Sequence, residues 1–242
     1  MTITLGNLLS VMILVILSLC SIIGYDVACN IKSASSSVIT KPTVIIDAGH
    51  GGEDGGTVSH SGIPEKDINL KIAIKLNKLF TENNYQTIMI RETDKLIYDD
   101  NCNTIRQKKS SDLHNRLDII NSNDNAVLIS IHQNHFDESK YYGAQVFYSP
   151  NITDSKLFAN EIQQNIVNNI QPENTRQIKE TGKEIFLLYN AKIPSVMVEC
   201  GFLSNIKEAE LLNTDDYQSK ISECIFEATD NFVKKKGDLY GK

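Results

Sequence analysis

Residues Val44–Gly56 read VIIDAGHGGEDGG, a short apolar run that leads directly into a loop with five glycines, three acids and one histidine. Such a pattern is typical of a buried strand that ends in a turn. Glycine-rich loops after strands can cradle a phosphate, hold a metal or simply reverse the chain. The rest of the sequence must therefore decide what this loop does.

Short apolar runs alternate with longer amphipathic segments from residue 41 onward. The predicted strands are TVIID, QTIMIR (Gln86–Arg91), AVLISIH (Ala126–His132), AQVFYS and PSVMVE. The predicted helices cover Lys66–Phe80, the segment SSDLHNRLDIINSN with Ser111 or Asp112 as its N-cap, Asp154–Ile170 and Asp215–Lys234. This alternation predicts an α/β fold, a mostly parallel twisted sheet with helices on both faces, and we expect AQVFYS at an edge.

The N-terminus has a different composition. Residues Leu8–Tyr25 carry no charge and are almost continuously apolar, and a serine-rich stretch follows them. The segment predicts a signal peptide or an uncleaved membrane anchor, and hence a protein that works outside the cytoplasmic membrane. We predict four parts: signal peptide or anchor at 1–26, tether at 27–41, a single catalytic domain at 42–236 and a tail at 237–242.

The charge distribution argues against nucleic-acid binding. The formal net charge is −6, and no run of basic residues stands out in the folded part. Proteins that bind nucleic acids usually carry a basic patch that neutralises phosphates. We therefore expect no nucleic-acid partner.

Three predicted strands end in ionisable side chains. They are His50 after the first strand, His132 at the end of the third and Glu199 at the end of the last. Ligands of α/β sheets sit outside the carboxyl ends of the strands, so these side chains should meet in one crevice.

A metal explains the glycine loop better than a phosphate does. The Lys-Ser/Thr of a phosphate loop is absent, and Glu53 and Asp54 would repel phosphate. Catalytic zinc commonly has two histidines and one carboxylate as ligands. His50 and His132 supply the histidines; Glu65 fits as the third ligand, Glu53 and Asp54 compete with it, and Glu199 is better kept free as a base.

The motifs then become recognisable in their order. VIIDAGHGGEDGG, EKDINL, DLHNRLDIIN, LISIHQN, GAQVFY and IPSVMVECGFLSN together resemble the zinc-dependent N-acetylmuramoyl-L-alanine amidases of bacterial cell walls, the Amidase_3 family. The resemblance covers roughly residues 43–232. It implies one Zn²⁺ per chain held by His50, Glu65 and His132, with Glu199 as the catalytic carboxylate and peptidoglycan as the substrate.

Within that family, GAQVFY and ECGFLSN are most similar to the germination-specific amidases of spore-forming bacteria. This likeness implies action on spore-cortex peptidoglycan toward muramic-δ-lactam, with the forespore intermembrane space as a candidate location. We see no segment long enough to plug the crevice, so we expect control by a regulatory protein partner, by zinc supply or by timing of expression.

The sequence also offers further candidate site residues and two alternative functions. Asn134, Arg116, Glu53 and His135 are candidates for contacting substrate or orienting the ligands. The alternative functions are a zinc peptidase that cuts within stem peptides and a non-catalytic peptidoglycan-binding protein.

Overall fold

A computed structural model describes residues 41–240, with side chains for residues 41–236. The apolar segment at 8–25 and most of the predicted tether lie outside the described residues. Within residues 41–240, no helix has both the length and the apolar character needed to cross a membrane.

Six strands form one sheet in the order β2-β1-β3-β6-β4-β5. Their bounds are Thr43–Ala48 (β1), Thr87–Met89 (β2), Ala126–Asn134 (β3), Gln145–Tyr148 (β4), Lys179–Glu180 (β5) and Ser195–Phe202 (β6). All neighbouring pairs are parallel except β4 with β6, which are antiparallel. The predicted α/β fold is confirmed. The expected edge position of AQVFYS is wrong, because the two-residue β5 pairs with the outer side of β4.

The first four helices of the described chain lie in connections between strands, and the last two follow β6. Their bounds are Glu65–Glu82 (α1), Ile105–Asn121 (α2), Thr153–Asn169 (α3), Phe186–Asn190 (α4), Ile206–Leu212 (α5) and Asp215–Tyr240 (α6). The predicted start of α2 at Ser111 or Asp112 is wrong. Thr104 is the N-cap, and its hydroxyl and the Gln107 side chain form a reciprocal capping box. This box begins the helix within a polar stretch that lacks an apolar period.

Alternate residues of the central strands pack on opposite faces of the sheet. On one face, Val44, Ile129 and Val198 join a large core with residues of α1, α3 and α6. On the other face, Ile45 and Leu128 pack with residues of α2 and α4 in a smaller cluster. Helices thus cover both faces, and the smaller cover on the second face leaves room for a crevice.

The strand register brings the chemistry-bearing residues to one edge of the sheet. β1, β3 and β6 run parallel, and His132 lies directly opposite Glu199. Because β4 is antiparallel to β6, it begins where the others end, and Gln145 lies opposite Glu199 on the other side. Residues paired in this way share a face of the sheet.

Candidate metal centre

Three side chains from three different elements converge at this edge. His50 follows β1, Glu65 begins α1 and His132 lies near the end of β3. Each offers one ligand atom, and these atoms all lie within 4.8 Å of one another. The pairs bridged by the carboxylate are closest, with Glu65 Oε2 3.3 Å from His50 Nε2 and Glu65 Oε1 2.9 Å from His132 Nδ1.

The donor set fits a small tetrahedral metal ion. Two imidazole nitrogens and one carboxylate oxygen form a common ligand set of catalytic zinc. Ligand atoms bound to one zinc at about 2.0–2.1 Å in a tetrahedron lie about 3.3 Å apart. One ligand atom from each residue lies within 4.8 Å of the other two, so the three side chains can hold such an ion after they move closer together.

Glu65 is buried and saturated with donors. Its Oε1 also accepts hydrogen bonds from the Gln133 backbone N–H and the Asn69 side chain, and its Oε2 accepts one from the Thr57 backbone N–H. Burial would raise its pKa, but the hydrogen bonds with His132 and His50 hold that pKa well below its usual range. Glu65 is therefore an anion at every physiological pH.

Asp54 orients His50. Its Oδ2 lies 2.9 Å from His50 Nδ1, which leaves His50 Nε2 facing Glu65. Metal-binding histidines usually hydrogen-bond a carboxylate or carbonyl through their other nitrogen. Although burial opposes protonation, the hydrogen bonds to Asp54 and Glu65 raise the pKa of His50 to about 9 in the absence of a metal.

The loop adopts a conformation that few residues accept. His50 has a φ of 62°, in the left-handed region that non-glycine residues rarely occupy. Its carbonyl oxygen accepts a 2.8 Å hydrogen bond from Arg116 Nη2, which fixes this conformation from below.

Two glycines let the loop approach the ligands closely. A Cβ at Gly49 would lie 2.2 Å from His132 Nε2, and a Cβ at Gly56 would lie 2.5 Å from Glu65 Oε2. A side chain at either position would displace a candidate ligand, so both positions require glycine.

Arg116 belongs to a buried ionic network beneath the loop. It donates to Asp47 Oδ1 at 2.5 Å and to Asp112 Oδ2 at 2.7 Å, while Ser130 donates to Asp47 Oδ2. Burial raises the pKa of Asp47, but Arg116 outweighs this and holds it below its usual value. Arg116 contacts the cluster through the His50 carbonyl and lines the cavity beside it.

Arg91 is a second buried arginine, and sequence analysis missed it. It donates to the carbonyls of Ala48, Gly49 and Lys66, next to the two candidate ligands His50 and Glu65. No carboxylate of the described chain lies within ion-pair distance of it. A single arginine in a predicted strand gave no reason to expect this role, because its partners are backbone atoms.

Glu199 lies beside the cluster with one oxygen free. Its Oε2 is buried and has no hydrogen-bond partner among the described residues. Burial, and next the nearby Glu65 carboxylate, raise the pKa of Glu199 to about 7, although His132 and His50 oppose the shift. A carboxylate with such a pKa can both accept and release a proton near neutral pH.

The remaining predicted residues lie around the site rather than in it. Glu53 is exposed and pairs with Lys108. Asn134 Oδ1 accepts from the backbone N–H of His135, and the side chain of His135 is exposed. Among the described residues, the group of possible metal ligands contains neither Glu53 nor His135.

A cavity of about 240 Å³ opens next to the cluster. His50, Asp54, His132, Lys109 and Leu187 are among the residues that line it. The two candidate histidine ligands are therefore accessible from solvent, as a site for an external substrate requires.

Comparisons with known proteins agree on one family. A profile described as N-acetylmuramoyl-L-alanine amidase (Amidase_3) matches residues 44–231. The germination-specific N-acetylmuramoyl-L-alanine amidase of Bacillus subtilis (strain 168) is 33% identical over 195 residues, which cover 81% of either chain.

Two solved structures are also similar. The CwlD amidase from Clostridioides difficile, in complex with the GerS lipoprotein, has a TM-score of 0.77 and 41% identity, with 80% of this chain and 99% of that chain covered. An N-acetylmuramoyl-L-alanine amidase from Clostridium difficile 630 has a TM-score of 0.70 and 32% identity, with 82% and 100% covered.

Proposed function

The chain belongs to the Amidase_3 family of N-acetylmuramoyl-L-alanine amidases, and on that premise we propose that it hydrolyses the amide bond between N-acetylmuramic acid and L-alanine in peptidoglycan. The observation that carries the proposal is the arrangement of Glu199. Its unpartnered Oε2 lies at the strand position directly opposite His132, beside the three grouped ligand residues.

In this proposal His50, Glu65 and His132 hold one Zn²⁺. The ion, when bound, supplies a Lewis acid that polarises the amide carbonyl and makes water a better nucleophile. Asp54 keeps His50 in the tautomer that presents Nε2, and two backbone N–H groups that donate to Glu65 hold its carboxylate in place. The family is generally zinc-dependent, and the donor set described above is the support from this chain.

Glu199 is the proton carrier of the proposed reaction. Its carboxylate takes a proton from the attacking water and then delivers it to the nitrogen of the leaving L-alanine. Burial of Glu199 serves both steps, because in the metal-free protein it raises the pKa of the carboxyl group to about 7 and so makes release of the proton as well as its uptake easier near neutral pH.

The biological setting is part of the proposal. The Bacillus subtilis relative is germination-specific, which supports a role in processing spore-cortex peptidoglycan toward muramic-δ-lactam. Such a substrate lies outside the cytoplasmic membrane, and the apolar N-terminal segment would serve for export or anchoring there. The Clostridioides difficile relative is in complex with a lipoprotein, which supports a regulatory protein partner for this chain.

Replacement of Glu199 by glutamine tests the assignment of the proton carrier. We expect Glu199→Gln to lower kcat on purified cortex peptidoglycan by at least about 100-fold, because general acid–base catalysis contributes about 10²–10⁴-fold. Zinc content, measured by elemental analysis, should stay near that of the wild type. Glu223→Gln, on the exposed face of α6, is the matched control and should keep full activity.

The products separate the amidase from the alternatives. Peptides released with a free N-terminal L-alanine support the amidase, whereas shortened stems left on the glycan would support a peptidase. Wild-type protein that binds zinc and peptidoglycan but releases no peptide would support the non-catalytic alternative. Undiminished hydrolysis by Glu199→Gln would contradict the role given to that residue.

A further inference from the structure

Arg176, in the loop between α3 and β5, has a fixed position and no ion-pair partner among residues 41–236. Its Nε donates to the Tyr142 carbonyl, its Nη1 donates to Gln145 Oε1, and its guanidinium lies 4.4 Å from the centre of the Phe202 ring. No carboxylate of residues 41–236 lies within ion-pair distance of it, and no acceptor there takes a hydrogen bond from Nη2. Arginine held by neutral groups keeps part of its donor fork for a ligand.

The nearest buried acid is already engaged elsewhere. Glu208 accepts hydrogen bonds from the backbone N–H groups of Gly143 and Phe202 through its two oxygens. Its carboxylate attracts the Arg176 guanidinium through space but forms no ion pair with it, so the hydrogen-bond donors of the guanidinium are not taken up by Glu208.

Arg176 lines a cavity of about 220 Å³ with positive character. The other lining residues are Lys140, Tyr141, Tyr142, Asn174 and Thr175, so the wall carries two cations and no carboxylate. Lys140 is paired with Glu138, which lies outside the wall. Arg176 is therefore the one cation of this wall without an ion-pair partner among residues 41–236, and its guanidinium favours an anionic ligand.

The sheet places this cavity close to the candidate active site. Gln145 lies opposite Glu199 across β4 and β6, and on its other side the Gln145 side chain contacts Arg176 and the Gln177 carbonyl. Neighbouring strands lie about 4.8 Å apart, so the loop of Arg176 is about 10 Å from Glu199 along the sheet edge. An extended peptide advances about 3.3 Å per residue, so it covers this distance in about three residues.

We propose that Arg176, assisted by Lys140, binds a free carboxylate on the second or third residue of the stem peptide while the amide of the first residue is cut. The proposal rests on the amidase activity proposed above and deepens it, because it makes the enzyme selective for acidic stems. A guanidinium can bind a carboxylate with two parallel hydrogen bonds, which fixes the direction of the peptide across the strand ends.

Matched substrates test the proposal with the full-length protein. The substrates are muramoyl tripeptides that differ only in bearing a free carboxylate or its carboxamide on the second residue, and a second such pair is altered at the third. We expect wild-type kcat/KM to be about 10- to 100-fold higher for the acid in one of the pairs, since hydrogen bonds to charged groups contribute that much. Arg176→Gln should remove this preference and leave the carboxamide within about 3-fold of wild type.

Two further variants separate charge from structure. Arg176→Lys keeps the charge without the fork and should retain an intermediate preference. Lys192→Gln removes one exposed positive charge just before β6, at the end of the strands opposite to the candidate site. It should leave kcat/KM unchanged for both substrates. If Arg176 had a purely structural role, Arg176→Gln would lower kcat/KM equally for both substrates of a pair. An unchanged ratio of kcat/KM between the acid and the amide in Arg176→Gln would therefore overturn the proposal.

A binding measurement keeps the two proposals distinguishable. The free tripeptides, as acid and as amide, are titrated calorimetrically into wild type and Arg176→Gln. Tighter binding of the acid to wild type alone supports the subsite even if no substrate is cleaved, in which case only the amidase proposal fails. Equal affinities for acid and amide, together with equal rates of cleavage, would overturn the subsite and leave the amidase intact.

Discussion

At the scale of single residues, Glu65 organises the candidate site. One carboxylate contacts both histidines, two backbone N–H groups and a buried asparagine. The side chains and backbone groups around it come from β3, α1 and the loop after β1. The position of each imidazole is therefore defined before any ion binds, which lowers the reorganisation that binding requires.

Asp54 should control metal affinity without touching the metal. We expect Asp54→Asn to weaken zinc binding about 10- to 100-fold, because the amide cannot hold His50 as strongly in the required tautomer. Competition with a chromophoric chelator measures the affinity directly. Asp100→Asn, at an exposed acid outside the candidate site, serves as the control, and equal affinities of the two variants would show that Asp54 does not orient the ligand.

The residues at the strand ends were predictable, and those that support them were not. His50, His132 and Glu199 follow apolar runs, so the rule that ligands gather at the carboxyl ends of strands finds them. The rule left Glu65, Glu53 and Asp54 as competing acids, and the family resemblance favoured Glu65. The hydrogen bond from Asp54 to His50 depends on the left-handed turn at His50, which no sequence pattern specifies.

At the scale of elements, the loop between β1 and α1 depends on glycines, which have no side chain. Gly56 has a φ of +67°, and its missing side chain makes room for Glu65 and His50. Gly62, in the same loop, has a φ of +84° but no atom within 4 Å of the position of a Cβ. The two glycines therefore share a left-handed backbone conformation and differ in what surrounds the position of a Cβ.

This difference predicts a selective effect on the site. Gly62→Ala should lose about 1–2 kcal/mol of stability, the usual cost of a left-handed residue with a side chain, and Gly56→Ala should lose more because its methyl group also clashes with Glu65 and His50. Only Gly56→Ala should also lose zinc affinity, by at least about 10-fold, because its methyl group displaces Glu65 or His50. Thermal unfolding and metal titration of both variants check this, and parallel losses of affinity would show that the contact is unimportant.

Elements were predictable where their apolar period was strong. The helix α1 and the strands β1, β3 and β6 lie where expected, since their burial follows the sequence period. The first turn of α2 was missed because a capping box, not a hydrophobic stripe, begins the helix. The strand β5 was missed because two exposed residues carry no period, and its pairing with β4 depends on tertiary placement.

At the scale of the whole molecule, the metal should act as a cross-link. The candidate ligands come from the loop after β1, the start of α1 and the end of β3, so an ion would tie three elements together. An ion that binds only the folded state stabilises it by about 2.7 kcal/mol at one hundred times its dissociation constant.

Removal of the metal should therefore lower thermal stability. We expect a chelator to lower Tm by about 5–10 °C for a domain of this size, and added zinc to restore it. Differential scanning calorimetry of the full chain measures the shift. Glu65→Gln should show little response to either treatment, and a wild-type Tm that ignores both would contradict a structural contribution from the ion.

The two outermost strands are short, and this limits how peptides can bind to the borders of the sheet. β2 has three residues and β5 has two, so the sheet offers few unpaired backbone groups along its described borders. Stray wall peptides thus find little template on which to add themselves as an extra strand. We therefore expect peptides to bind in the crevice at the strand ends, where contacts with side chains rather than with backbone groups determine the selectivity.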